Sequence, residues 1–461
     1  MTLRILHLGL GAFHRAHQLA YLQALHELGD TRWTCVSGNI RPDTEDPARV
    51  LRAQGCAYTL ETVDPSGRRA YQRITALSDA LPYTPDLAAL VELGADPDTR
   101  IVSFTVTEAG YHVDADGRLD AGAPEVVQAA LDARAGRAGT SIWSVLSAIL
   151  AARRARDAGA LTLLCCDNLR HNGARVRQGL RQFLALIGDG ELGAWMEAST
   201  SCPDTMVDRI TPRVSLQQRP ALRARVRAAT GREDDAAIGS ETFLQWVIED
   251  DFRNGRPAWE CVGVELVSEV APYEEAKIRI LNASHSCIAW AGALAGYRTI
   301  HEALRDPRIH AYVHDYVTRA VLDCLRPSPI DLEAYRDRVL ERFASDAIQD
   351  SVERVLADSC AKLPGFVVPT LRDCLARGLP LAPAAVLPAL FLQVLLRWRA
   401  GELGLAWHDQ SRDPAVVDAI CGAADPVAAF CAQPVFWDEL AGNAALTAAV
   451  RAAGAQAVAM L

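Results

Sequence analysis

The sequence predicts an α/β fold: a mainly parallel sheet covered by helices in the first part of the chain, followed by a mainly α-helical second part. Three observations predict it. Short apolar runs alternate with helical stretches in the first part, a glycine-bearing turn directly follows the first run, and apolar spacing beyond Tyr273 is helical almost without interruption. A chain of 461 residues, half of them apolar, is too long for one core and rich enough to fill two.

The first run, Leu3 to Leu8, reads as a strand that stops at Gly9-Leu-Gly-Ala-Phe-His-Arg-Ala-His17, after which Gln18 to Leu25 takes helical spacing. Gly9 permits the turn and Gly11 lets the backbone approach a pyrophosphate, which the first amides of the helix, at Ala12 and Phe13, can bind. His14 stands where the third glycine of the usual dinucleotide fingerprint belongs. The context carries more than the motif, since the next strand candidate, Trp33 to Ser37, follows at βαβ distance. That strand ends at Gly38, where an acid for the ribose is expected; Asp43 is the nearest reachable carboxylate and favours NAD, while Arg41 offers a phosphate the opposite choice.

Ala57 to Val63 and Ala70 to Ala76 flank Asp64-Pro-Ser-Gly67 and read as a hairpin inserted after the second strand. Arg100 to Val106 and Leu161 to Cys166 complete the set of apolar runs. The loops that follow them, Thr105 to Tyr111 and Cys166 to Gly173, lie at carboxyl ends of parallel strands, where such sheets hold ligands. Thr107 and Glu108 thereby join Gly9, Gly11, Ala12, Phe13 and Asp43 as candidate cofactor contacts. The reading is a Rossmann-type N-terminal domain with a mainly parallel sheet over residues 1–271 and a mainly α-helical C-terminal domain over 272–461, NAD being held by the first and substrate by the second.

Pro272 suits the first turn of the helix that follows. On that helix Lys277, His285 and Asn282 fall near about 0°, 80° and 140° of the wheel, an arc that a long lysine can close. Helix breaks are expected at Pro327-Ser-Pro329, at Pro364-Gly365 and from Pro380 to Pro383.

A formal charge of −10 argues against a nucleic acid or an anionic membrane as main partner. The densest basic cluster, Arg153-Arg-Ala-Arg-Asp157, reads as a solvated helix face. Leu379 to Leu396 is apolar but holds Pro380, Pro383, Pro388 and Gln393, which suits a buried helix better than a membrane span. Twelve cysteines and a first strand that starts almost at once point to thiols in the cytoplasm. No His or Cys spacing suits a metal; His310 and His314 lack a third ligand.

The segments Gly9 to Gln18, Thr105 to Tyr111, Cys166 to Gly173, Met206-Val-Asp-Arg-Ile-Thr-Pro212 and Lys277 to His285, in this order, are similar to those of the polyol-specific long-chain dehydrogenases, the mannitol dehydrogenase family. The likeness runs nearly end to end. It implies NAD-dependent oxidation of a secondary alcohol of a polyol to a ketose, with D-arabinitol to D-xylulose in first place and D-mannitol to D-fructose as the alternative. It also implies a monomer. A non-catalytic nucleotide sensor on the same fold is the reading from another class.

Without a metal the proton chemistry falls to side chains. Lys277 is the general base, its pKa brought down by burial, and Glu274 one turn earlier either relays the proton or is a first-turn helix acid. Asn168 and Asn282 can donate to the oxygen as it becomes alkoxide, and the resemblance gives them that role. His285 binds and orients a substrate hydroxyl, with general base as its lesser role. Asp208, Arg354 and Lys362 match positions that face the polyol in the family pattern.

Overall fold

A computed structural model describes residues 2–43, 45–114, 117–212, 216–346, 349–409 and 411–460, with the side chains of Glu108, Ala109 and 457–460 outside that description. The chain divides into two compact units: Met1–Asp64 with Arg68–Ala271, and Pro65–Gly67 with Pro272–Leu461.

The strands of the first unit are β1 Leu3–Leu8, β2 Trp33–Gly38, β3 Tyr58–Val63, β4 Arg69–Ile74, β5 Leu77–Leu81 and β6 Thr99–Phe104, then β7 Leu161–Cys165, β8 Thr200–Ser201, β9 Thr205–Asp208, β10 Ile238–Glu241, β11 Gln245–Glu249 and β12 Glu265–Val267. Six of them form one parallel sheet in the order β5-β2-β1-β6-β7-β8. Leu8 registers with Gly38 on one side and Phe104 on the other, so the turns leaving β1, β2 and β6 share one edge at the point where strand order reverses. Alternation sends Leu6, Leu8, Val102, Phe104 and Leu163 to one buried cluster with Trp143 and Leu180, and Ile5, Cys35, Ile101 and Leu164 to another with Leu19 and Leu22. Helices therefore cover both faces. The hairpin β3-β4 is antiparallel and joins β10 in a second small sheet; β9, β11 and β12 make a third.

Among its described residues the second unit is built of helices joined by loops, with one isolated bridge between Thr299 and Ser351. At its centre one helix runs in three registers: α over Ala271–Ala276, π over Lys277–Asn282 and α again over Ala283–Ala295. Two further π turns, Val317–Val321 and Leu363–Val367, pack against the first. The break expected at Pro364-Gly365 does not occur. Pro364 has no N–H to give, and the wider turn between Ser359–Lys362 and Val368–Arg377 absorbs the missing bond.

Arg153 corrects a second expectation. It is fully buried, and its guanidinium donates to the carbonyls of Gly94, Asp96, Ala158, Gly159 and Ala160 at 2.8–3.0 Å. Five acceptors outweigh the cost of desolvating one cation, so this basic run is part interior strut.

Candidate active site

In the first unit the site is assembled from backbone. Gly9 has φ +131°, its N–H donates to Gly38 O at 2.8 Å, and Leu10 N–H donates to Asn39 Oδ1 at 2.8 Å. A side chain at Gly9 is excluded by its φ, and the turn it permits opens the short helix Ala12–Ala16. A Cβ built on Gly11 meets nothing within 4 Å, which leaves the first amides of that helix, Ala12 and Phe13 among them, open to a ligand. His14 is buried and stacks on His7 with centroids 3.5 Å apart. His14 Nε2 meets Ser37 Oγ at 3.0 Å, and His7 meets Ser103 Oγ at 2.8 Å and Thr105 Oγ1 at 3.3 Å. The imidazole in the third-glycine position thus bolts the turn to three strand ends. Burial drives both rings toward the neutral form, His14 to a pKa of about 3.

Gly38 explains the displaced acid. A Cβ there would lie 3.0 Å from Leu90 Cδ2 and 3.1 Å from Leu81 Cβ, so the strand end has no room for a carboxylate. Asp43 stands in the exposed loop beyond, 3.5 Å from Asn39 Nδ2, and Arg41 donates through Nε to Thr140 O at 3.1 Å.

The loops after β6 and β7 are stitched together by Asp167, which sequence reasoning passed over. Its carboxylate accepts from Val106 N–H at 2.7 Å, Thr107 N–H at 3.2 Å and Tyr111 O–H at 2.6 Å. Burial raises its pKa against those donors. Thr107 is held at φ +71° and is exposed; Glu108 opens a single 3-10 turn, its side chain outside the description. Asn168, the next residue, is exposed on the same loop. Asn172 closes the frame: its amide donates to Asp167 O and Thr205 O and accepts from Thr205 N–H, tying the loop to β9, which ends in buried Asp208. The signal for Asp167 was its place between Cys166 and Asn168.

In the second unit Lys277 opens the π turn and is 8% exposed, with Glu274 one turn earlier at 7%, so the amine does not stand in bulk water. Asn282 closes that turn. The i→i+5 bonding, seen at Ala283 N–H to Ile278 O, sets Asn282 close to one full turn after Lys277 and narrows the arc that α spacing predicts. Arg279 within the turn donates to Glu275 at 2.6 Å and Asp373 at 2.5 Å, anchoring it to the helix Val368–Arg377. His285, one turn on, stacks on Phe343 at 4.6 Å. Its pKa is lowered by burial, against the pull of Asp350.

Arg354 is exposed and grips Asp350 through Nε at 2.5 Å and through Nη2. Lys362 is half-buried and donates from Nζ to Val355 O at 2.7 Å and Ala357 O at 2.6 Å; burial lowers its pKa to about 8. Lys277, Glu274, Asn282 and His285 therefore share one helix, and Arg354 and Lys362 share the neighbouring segment. Gly9, Gly11, Ala12, Phe13, Asp43, Thr107, Asn168 and Asp208 belong to the first unit. Among the described residues no group of three or more His, Cys, Asp or Glu side chains could hold a metal, and no helix is long and apolar enough to cross a membrane.

Family models for a mannitol dehydrogenase Rossmann domain and a mannitol dehydrogenase C-terminal domain match residues 3–261 and 269–458. A D-arabinitol 4-dehydrogenase of Ralstonia nicotianae is 53% identical over 98% of this chain and 96% of its own length. One of Klebsiella pneumoniae is 47% identical over 97% and 96%. Among solved structures, the Pseudomonas fluorescens mannitol 2-dehydrogenase ternary complex with NAD and D-mannitol is similar with TM-score 0.84 and 34% identity, covering 99% of this chain and 92% of that one.

Proposed function

The chain belongs to the mannitol dehydrogenase family, and on that premise we propose that it oxidises D-arabinitol to D-xylulose with NAD. The observation that carries the substrate is the likeness, 53% and 47% identical and nearly end to end, to two D-arabinitol 4-dehydrogenases. The alternative, oxidation of D-mannitol to D-fructose, is favoured by the likeness to the mannitol enzyme's ternary complex.

The fit of the first unit to a dinucleotide rests on the open side of Gly11 and on the neutral scaffold beneath it. Gly9, Gly11, Ala12 and Phe13 would hold the pyrophosphate, Asp43 the adenosine ribose, and Thr107 with Glu108 the crevice wall. Arg41 has its Nε committed to Thr140 O, which favours NAD over NADP. When bound, NAD supplies the hydride acceptor.

Lys277, as neutral amine, takes the proton of the reacting hydroxyl. Asn168 and Asn282 donate to the oxygen as charge builds on it, so that the developing alkoxide meets fixed dipoles and no water has to reorganise. Glu274, also buried, passes the proton from Lys277 toward solvent. His285, Asp208, Arg354 and Lys362 hold the remaining hydroxyls, each of which costs free energy when buried without a partner.

We place the enzyme in the cytoplasm as a monomer: its twelve cysteines are all thiols and its net charge of −10 opposes self-association. Sedimentation and cell fractionation test both. For the reaction, initial rates on a polyol panel with NAD and with NADP are decisive. The highest kcat/KM is expected for D-arabinitol with NAD; a mannitol rate above it favours the alternative. NADH binding with no polyol turnover would indicate a silent sensor.

A further inference from the structure

Asp350 carries no sequence signal, yet it sits at the centre of the charged cluster in the second unit. Its carboxylate accepts from Arg354 Nε at 2.5 Å and from Nη2, and lies 3.2 Å from His285 Nε2. It is itself held from behind. Ile300 N–H donates to Asp350 O at 2.9 Å, Thr299 and Ser351 form an antiparallel bridge, and Val352 N–H donates to Arg298 O at 3.0 Å. With its backbone pinned and its side chain 11% exposed, the carboxylate is the fixed member of the cluster, and the imidazole and the guanidinium orient to it.

The contact to His285 is electrostatic. At 3.2 Å the pair is within ion-pair range, but the angle falls outside hydrogen-bond alignment, and Nε2 is buried with no other partner. Phe343, stacked at 22° to the ring, restricts how far the imidazole can turn. A fixed negative charge on that side favours the tautomer with its proton on Nε2.

We propose that Asp350 is a positioning residue for the polyol, holding the proton of neutral His285 on Nε2 so that Nδ1 accepts, and gripping Arg354 by its Nε edge so that Nη1 donates. This rests on the reading of His285 and Arg354 as polyol contacts. A hydroxyl both donates and accepts, and the pair supplies one acceptor and one donor whose orientation a single carboxylate sets. Burial raises the Asp350 pKa, but the contact with His285 and the bonds from Arg354 outweigh it and hold the carboxyl well below the usual range, so its charge persists in the working range. The charged groups acting on His285 are Asp350, Arg354 and Lys362, and Lys362 in turn feels Asp358 and Asp409.

The test is steady-state kinetics on D-arabinitol at saturating NAD for wild type, D350N, D350E, R354A and the D350N/R354A double variant, with NADH affinity measured by fluorescence. D350N should raise the polyol KM about ten- to a hundredfold, the range for losing one charge-assisted contact, with kcat and NADH affinity within about threefold of wild type. The double variant should lose more than R354A but less than the product of the two single losses, because only the His285 share of the D350N loss remains, and D350E, which keeps the charge but displaces it, should fall between wild type and D350N. A D350N enzyme with wild-type KM, or losses in D350N and R354A that simply multiply, overturns the proposal. Should D350N not fold, D350E decides: a wild-type KM overturns it. Wild-type protein inactive on every polyol removes the functional reading and this inference with it, whereas an active wild type matched by D350N removes the inference alone.

Discussion

The glycine-turn region and the lysine-helix region follow opposite electrostatic plans. Beneath Gly9 the buried polar groups are neutral: two imidazoles, Ser37, Ser103 and Thr105, joined by short hydrogen bonds and a face-to-face stack. Around Lys277 fixed charges gather, with Arg279 between Glu275 and Asp373, and Asp350 gripped by Arg354 beside the His285 ring. A neutral frame keeps a backbone surface in shape through neutral and alkaline pH, which is what a diphosphate needs. A charged frame can shift protons and reorient donors, which is what an alcohol oxidation needs. Damage to the first should therefore register as lost stability or lost cofactor affinity, and damage to the second as lost turnover or lost polyol affinity.

The largest break in that comparison is Lys277→Ala. Removing a general base costs about 10²–10⁴-fold in kcat, while NADH affinity, set in the other region, stays within about threefold. Stopped-flow turnover beside NADH fluorescence titration checks both, and an unchanged kcat eliminates Lys277 as base.

Two glycines of the first region sharpen it next. A Cβ at Gly173 would lie 2.3 Å from Cys202 O and 2.5 Å from Pro203 O, both backbone atoms that cannot give way, so Gly173→Ala should destabilise the fold by about 1–3 kcal/mol. At Gly11 the Cβ meets nothing within 4 Å, so Gly11→Ala should leave the melting temperature unchanged and weaken NADH binding instead. Thermal melts with and without NADH separate the two outcomes. Equal melting losses in both variants would deny Gly11 its ligand role.

These positions also mark how far the sequence is legible. β1, β2, β6 and β7 announce themselves as apolar runs because a parallel strand is buried on both faces. β5, Leu77-Ser-Asp-Ala-Leu81, does not, since it is an edge strand with Ser78 exposed and its identity comes from pairing with β2. Lys277, Asn282 and His285 were visible as residue types on one helix, but the π turn that aligns them was not, because an extra residue in a helical turn leaves composition unchanged. Asp167 and Asp350 look like ordinary loop acids in sequence. Only their partners, from the loop after β6 in one case and from the π-turn helix in the other, give them a task. Gly38 is the reverse case: the missing ribose acid was noticed, and its cause, the crowding by Leu81 and Leu90, lies in contacts distant in sequence.

Asp43 offers a smaller perturbation on the cofactor side. Asp43→Asn removes the charge that repels a 2′-phosphate and should shift the NADP-to-NAD ratio of kcat/KM upward by about fivefold, one charge at a solvent-exposed position being worth about 1 kcal/mol. An unchanged ratio assigns discrimination elsewhere in the loop.

The smallest effect separates the two regions by pH alone. His14 is held neutral, its pKa lowered from 6.5 to about 3, so the unfolded chain binds its proton first; the stability it contributes is whole above 6.5 and is lost as pH falls from there toward 3. Lys362 is lowered from 10.5 to about 8, again disfavouring the charged form in the fold, so its cost is constant below 8 and is relieved as pH rises from 8 toward 10.5. The neutral amine still has two N–H groups for Val355 O and Ala357 O, so no hydrogen bond is given up in the exchange. Denaturation of wild type against Lys362→Met across the alkaline range should show the wild type gaining relative stability upward through pH 8, while His14→Gln should differ from wild type in slope only on the acid side. A Lys362 effect on the acid side, or a His14 effect on the alkaline side, would mean that the neutral and ionic frames are not separable as described.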